Sequence, residues 1–357
     1  MFDLTIVGGG IIGATAFYLA RRQRPDWRIL LLDRSLVGKG ASAYSAGLDF
    51  PYGRTPWQKQ LSDASVRMYA DFKQDLPHLA LRSLPFVGVV KKQNLEQVLE
   101  RFTCKAVHCA DKTERDLLFS IFPDLKVGDD QEILVGAQGA VGFVDQIVSL
   151  LINEAANPPG GHCWEGVAVS QVRAKDSGHE LDCGDGRRIQ SCRVLVATGP
   201  WALNGPESSQ AHAAGVRIKK VAALHVLREP TPNAPVVYFF DEDAFLLPVL
   251  EGKKWILSFT SREWDCSPDQ GNLLIRPEER AEALSILARY CPSWVEECCG
   301  GRVFCDAYTP DWAPFVRSTG KNIVLAGACS GAGFRIAPAV AQTALQLFSG
   351  YINAGEV

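Results

Sequence analysis

Three glycines spaced Gly8-x-Gly10-x-x-Gly13, with Asp33 twenty residues beyond the last, are the residues whose types and spacing specify chemistry most directly. Between a strand and a helix, the first glycine permits a tight turn and the second admits a pyrophosphate against the backbone. The third lets helix and strand pack closely. The free N–H groups and positive end of a helix opening at Ile11 and Ile12 then face phosphate oxygens. A carboxylate at Asp33, closing the next strand, can accept hydrogen bonds from ribose hydroxyls. This is chemistry for holding a dinucleotide.

NAD and FAD both satisfy that fingerprint, so the choice rests on the residues beyond Asp33. Gly38-x-Gly40-Ala41-Ser42 and Ala46-Gly47-Leu48 come where an NAD site would proceed to its next helix. Small residues with free backbone N–H groups suit a flavin ring laid against the chain. Later, Thr198-Gly199-Pro200-Trp201 ends a strand, and Cys329-Ser330-Gly331-Ala332-Gly333 precedes the last helix. A second helix N-terminus there would stabilise negative charge at the flavin N1/O2 edge. The reading is FAD.

The elements that must position these residues are legible in part. Leu4–Val7 is a short apolar run suited to a buried parallel strand, an Ala-rich amphipathic helix spans Ile11–Arg22, and Arg28–Leu32 is a second buried strand. Together they form a βαβ unit. Helical periodicity runs over Trp57–Leu76, capped near Thr55-Pro56, and over Leu95–Phe102, Val144–Ala156, Pro277–Tyr290 and Ile336–Phe348. Strands are predicted at 86–90, 167–173, 180–183, 194–197, 224–227, 236–240, 245–249, 255–260 and 323–325.

Composition narrows the class. A chain of 357 residues, 47% hydrophobic and 22% charged with net charge −3, is an ordinary globular protein able to bury a large core. Nothing favours a nucleic acid as partner, because basic clusters such as Arg21-Arg22 are short and read as solvated helix ends. There is no run of about eighteen apolar residues, which predicts no membrane span. The first strand begins at once, which leaves no room for an export signal. Eleven cysteines without a metal-ligand spacing then read as reduced thiols in a cytoplasmic protein, and no metal site is expected.

The motifs in this order resemble the D-amino-acid oxidase superfamily of FAD-dependent amine oxidoreductases, especially its glycine oxidase and monomeric sarcosine oxidase branches. The similarity extends through Gly142-Phe143-Val144-Asp145, Ala197-Thr198-Gly199-x-Trp201, Thr309-Pro310-Asp311 and Gly331-Ala332-Gly333-Phe334-Arg335. It implies an α/β fold, with a Rossmann-type FAD-binding domain of residues 1–75, 143–215 and 305–357. A discontinuous α+β substrate domain built on an antiparallel sheet would take residues 76–142 and 216–304. By the same resemblance Ile11-Ile12 would hold the pyrophosphate and Asp33-Arg34 the adenosine ribose. Ala41, Ser42 and Ala46 to Leu48 would border the flavin, Val169 would meet the adenine, and Cys329 to Arg335 would line the pyrimidine edge.

The resemblance breaks on the substrate side. The arginine and tyrosine that hold a substrate carboxylate in glycine oxidases align with Asp306 and Phe245, and a further substrate position aligns with Gly331. A carboxylate cannot replace a guanidinium without reversing the charge it favours. Arg54, Arg262, Arg302 and Arg335 are candidates for a relocated clamp, each also readable as an ordinary surface or backbone-pairing arginine. Asp306 could face a cationic amine or act as a base, or it could be a hydrogen-bonded turn residue. The cysteine that attaches flavin in sarcosine oxidases aligns with Phe304, and Cys305 falls one residue late, on the opposite side of a strand. Non-covalent FAD is therefore expected. The lysine that promotes oxygen reduction in that branch has no counterpart in 258–265, where Arg262 stands.

The expected activity is oxidation of a C–N bond in a small amine or amino acid to the imine, by hydride transfer to flavin N5, with oxygen or another acceptor reoxidising the flavin. Asp306 and Arg262 are the candidate catalytic residues; Phe245, Arg54, Arg302 and Gly331 the candidate substrate pocket. An FAD dehydrogenase acting on a hydroxy acid, or a flavoprotein subunit dependent on a partner, would fit the same scaffold.

Overall fold

A computed structural model describes residues 1–269, 271 and 273–348. The βαβ unit forms as the glycines and apolar runs require: β1 (Leu4–Val7), α1 (Ile11–Gln23) and β2 (Ile29–Leu32). β1 and β2 pair in parallel and are fully buried, which explains why both are apolar apart from Thr5 instead of alternating with exposed polar residues. They lie inside a six-stranded sheet of order 315–320, 323–327, 194–196, β1, β2, 161–164. Every pairing is parallel except that of the two C-terminal strands. The helices Val144–Ala156, Pro56–Asp75 and Gly333–Gln346 join α1 in one apolar cluster with Leu4, Ile6 and Leu31.

A larger mixed sheet lies apart from this one. Its order is 298–308, 217–226, 254–264, 244–249, 236–239, 81–91, 131–135, 108–109, and the pairings among the first five strands are antiparallel. A second apolar cluster joins this sheet to the Pro277–Tyr290 and Lys112–Ile121 helices, where Phe122 stacks on Trp255 and Trp294. Another cluster includes Ala223, Leu247 and Ile256 from the sheet together with Leu48, Phe50 and Tyr52. A three-stranded antiparallel sheet, 169–175, 178–183 and 188–191, accompanies the two.

Most predicted helices match the periodicity that announced them. Thr55 caps the Pro56–Asp75 helix by accepting from the Gln58 N–H at 3.1 Å. One expectation needs correction, and one helix was not foreseen. Arg21 is buried, not solvated: its guanidinium donates to the carbonyls of Trp27, Pro25 and Pro159 at 2.6, 3.1 and 2.7 Å. It supplies donors to loop carbonyls before β2 and before the 161–164 strand. The Lys112–Ile121 helix went unread although Asp111 and Glu114 form its capping box.

Candidate functional site: a cavity from the glycine turn to the large sheet

One cavity of about 670 Å³ runs from the glycine turn to the large sheet. At the turn, Gly8 has φ of 110°, and a Cβ there would stand 2.3 Å from the Ala197 carbonyl oxygen. Gly10 lines the cavity and α1 begins without a side-chain cap, so its first N–H groups are open to an anion. Ile11 is the exception, donating to Ser42 Oγ at 3.0 Å. Gly13 does not line the cavity: a Cβ there would sit 1.9 Å from the Gly8 carbonyl oxygen, so its role is helix–strand packing. Asp33 accepts from the Gly9 and Ser35 N–H groups at 2.7 and 2.8 Å. A carboxylate has about four acceptor positions, which leaves capacity for ribose hydroxyls.

The other expected cofactor residues line the same cavity: Arg34, Ala41, Ser42, Ala46, Gly47, Leu48, Val169, Thr198, Gly199 and Trp201. Thr198 lines the cavity, and its Oγ1 is buried without a partner, an orphaned group beside that space. Arg34 lies 4.8 Å above the Trp201 ring and pairs with Asp269, to which Trp201 Nε1 also donates at 2.8 Å. Sequence reading missed Asp269, since nothing in its neighbourhood marks a site. The Cys329–Arg335 segment lines the cavity too, and backbone at Ala328, Ser330 and Gly331 is left-handed, bending the chain into the uncapped start of the Gly333–Gln346 helix. These features fit an FAD: a glycine cradle, a free acceptor at Asp33, an orphaned hydroxyl and two uncapped helix ends.

The family profile described as FAD dependent oxidoreductase (DAO) matches residues 3–347. The chain belongs to this family. A glycine oxidase from Geobacillus kaustophilus is 24% identical over 287 residues, 73% of this chain and 70% of that protein. The crystal structure of glycine oxidase from Geobacillus kaustophilus superposes with a TM-score of 0.76 at 20% identity, covering 96% of this chain and 93% of that one. Glycine oxidase from Bacillus cereus superposes at 0.80 with 15% identity, covering 99% and 96%. The L-α-glycerophosphate oxidase of Mycoplasma pneumoniae with FAD bound gives 0.75 at 15%, covering 97% and 94%. At such identities the structural likeness establishes the fold. Membership establishes an FAD-dependent oxidoreductase.

The large sheet supplies the remaining wall. Strands place alternate residues on one face, and Arg302, Phe304, Asp306 and Tyr308 of the Cys298–Tyr308 strand all reach the cavity. Asp306 is on a strand, not in a turn. It accepts from its neighbour Ala307 N–H at 2.8 Å and from Gly331 N–H at 3.1 Å, and burial pushes its carboxyl up to about 6 despite these donors. Cys305 is turned into the core and does not line the cavity; burial first, then neighbouring Cys266 and Asp306, pushes its thiol up to about 12. Phe304 faces the cavity and stacks with Tyr44.

Of the four arginines weighed as a clamp, Arg262 is misplaced. It is exposed, pairs with Glu282 at 2.8 Å and does not line the cavity. Its strand pairs Thr260 with Val221 and Trp264 with Lys219, a register shift that breaks regular alternation at Arg262. Arg54 lines the cavity, pairs with Asp243 at 2.5 Å and lies 4.6 Å above the Trp312 ring. Tyr238 donates to the same Asp243 oxygen at 2.7 Å. Arg302 lines the cavity with only a 3.3 Å contact from Nη2 to the Ser45 carbonyl, and burial lowers its pKa. Arg335 donates to the Tyr52 carbonyl at 3.1 Å and lies 4.0 Å above Phe50. Phe245 and Gly331 also line the cavity. Lys219, unread because Lys219-Lys220 resembles a surface pair, is buried and lines it as well.

Proposed function

We propose that the protein oxidises the C–N bond of a small amine or amino acid to the imine, with FAD held non-covalently. Bound in the cavity, FAD supplies the acceptor for a hydride equivalent at N5. The protein's part is to place the substrate carbon, exclude water beneath the large sheet and manage the amine's charge. Asp306 carries the reading: a half-buried carboxylate on the cavity wall attracts an ammonium group and, with its raised pKa, narrows the gap across which the ammonium's proton must pass to it. The glycine oxidases similar to this chain support an amine as substrate. Non-covalent attachment is supported by Phe304 facing the cavity and Cys305 lying in the core.

The test is the rate of anaerobic flavin reduction by a reactive amine in Asp306→Asn. Loss of a positioned base and counter-charge predicts slowing of about 10²-fold or more. A rate equal to wild type would remove Asp306 from the reaction.

A further inference from the structure

Two consecutive buried lysines on the Arg217–Val226 strand differ in how their charge is met. Lys220 is held by Glu263 at 2.5 Å, Glu279 at 2.7 Å and the Leu274 carbonyl at 3.0 Å. Such double pairing is what a buried ammonium requires. Lys219, 7% exposed, has no carboxylate partner among the described residues. Its Nζ donates to Thr260 Oγ1 at 2.7 Å and lies 5.2 and 5.3 Å from the Trp264 and Tyr308 rings. Burial lowers its pKa, and Asp243, the acid that opposes this through space, is engaged by Arg54 and the Tyr238 hydroxyl. The ammonium is thus fixed in place and left without a counter-ion, on a residue that lines the cavity.

Lys219 is also directly opposite Asp306 on the adjacent antiparallel strand, where Cβ atoms stand about 5 Å apart. Opposite charges in such a pair ordinarily close on each other. These do not: Lys219 turns to Thr260 on the strand to its other side, and Asp306 to the Gly331 and Ala307 N–H groups. A cation and an anion held apart on one cavity wall match the two ends of a zwitterion.

We propose that Lys219 anchors the carboxylate of an α-amino acid whose amino group faces Asp306, so that the site selects amino acids over simple amines. This rests on the C–N reading above for the amino half only. Thr260, Trp264 and Tyr308 position the ammonium, and a charge-assisted hydrogen bond from it replaces the family's displaced guanidinium.

The test uses the FAD-loaded enzyme and two non-reacting probes, propionate and propionamide, with dissociation constants read from perturbation of the flavin spectrum. Wild type should hold propionate more tightly than the amide. Lys219→Met should weaken propionate about 10- to 100-fold, leave the amide unchanged, and raise KM for an α-amino acid more than it lowers kcat. Lys219→Arg should recover part of the propionate affinity. Equal affinity of wild type for the two probes would overturn the proposal without any variant. So would a Lys219→Met enzyme with unchanged propionate affinity in which only reoxidation by air is slower. Flavin reduction by hydroxy acids alone, with Lys219-dependent propionate binding intact, would reject the C–N reading and leave the carboxylate anchor standing.

Discussion

Replacing Gly13 and, separately, Gly10 by alanine distinguishes a glycine needed by the protein from one needed by the cofactor. A Cβ on Gly13 would stand 1.9 Å from the Gly8 carbonyl oxygen, 3.1 Å from its carbon and 3.4 Å from Ile6 Cγ2. The obstacle is backbone, so α1 and β1 would have to part by more than about 1 Å in a close-packed core. Overpacking of this kind costs about 1–3 kcal/mol. It also shifts the helix end that faces the cavity. A Cβ on Gly10 would meet only Ser42 Oγ, at 3.2 Å, a side chain that can yield. Gly10→Ala should therefore leave the stability of the FAD-free protein within about 0.5 kcal/mol of wild type and weaken FAD, whose pyrophosphate must approach there. Gly13→Ala should lose stability in the FAD-free protein as well as FAD content. Urea denaturation of both FAD-free variants, with flavin content measured from the visible flavin absorbance after purification, reads both effects. A Gly13→Ala protein with wild-type stability and full FAD occupancy would refute the packing argument.

Three further outcomes are expected of the site. With Asp306 pushed up to about 6 by burial, its ionised form is lost as pH falls through that value. The rate of flavin reduction should drop on the acid side near pH 6, and Asp306→Asn should be slow with that limb removed; a limb that persists in the variant would assign it elsewhere. Acid precipitation should leave a colourless pellet, and Cys305→Ala should keep its FAD, because the Cys305 side chain is in the core. A yellow pellet that became colourless in Cys305→Ala would reverse that assignment. Arg262→Ala removes only an exposed ion pair, so steady-state turnover should be unchanged and the melting temperature should report a loss below about 1 kcal/mol.

What the sequence disclosed depended on how local the physical signal was. The βαβ unit is written in consecutive residues: a buried run, glycines at fixed spacing, a second run and an acid. Each imposes its conformation without help from distant chain. The Pro56–Asp75 and Pro277–Tyr290 helices were legible for the same reason. The Cys298–Tyr308 strand was legible only around Phe304-Cys305, because Cys298-Cys299-Gly300-Gly301 lacks the β-branched alternation that marks a strand, and its place is set by pairing with 217–226. That pairing decides which side chains reach the cavity, so Asp306 was legible as a departure from a family position but not as a strand residue. Lys219 was hidden altogether. Two adjacent lysines read as a solvated cluster, and only burial of the strand reveals that one is paired and the other is not. Arg262 failed in the opposite way: its position along the strand was near the site, and its side chain is exposed and paired with Glu282.

Whether a C–N bond is the one oxidised can be read by mixing the oxidised enzyme anaerobically with α-amino acids, N-methyl amines, simple amines and hydroxy acids, then following loss of the visible flavin absorbance. Compounds carrying an oxidisable C–N bond should bleach the flavin, with α-amino acids most effective. Bleaching by hydroxy acids and by none of the amines would contradict an amine oxidoreductase.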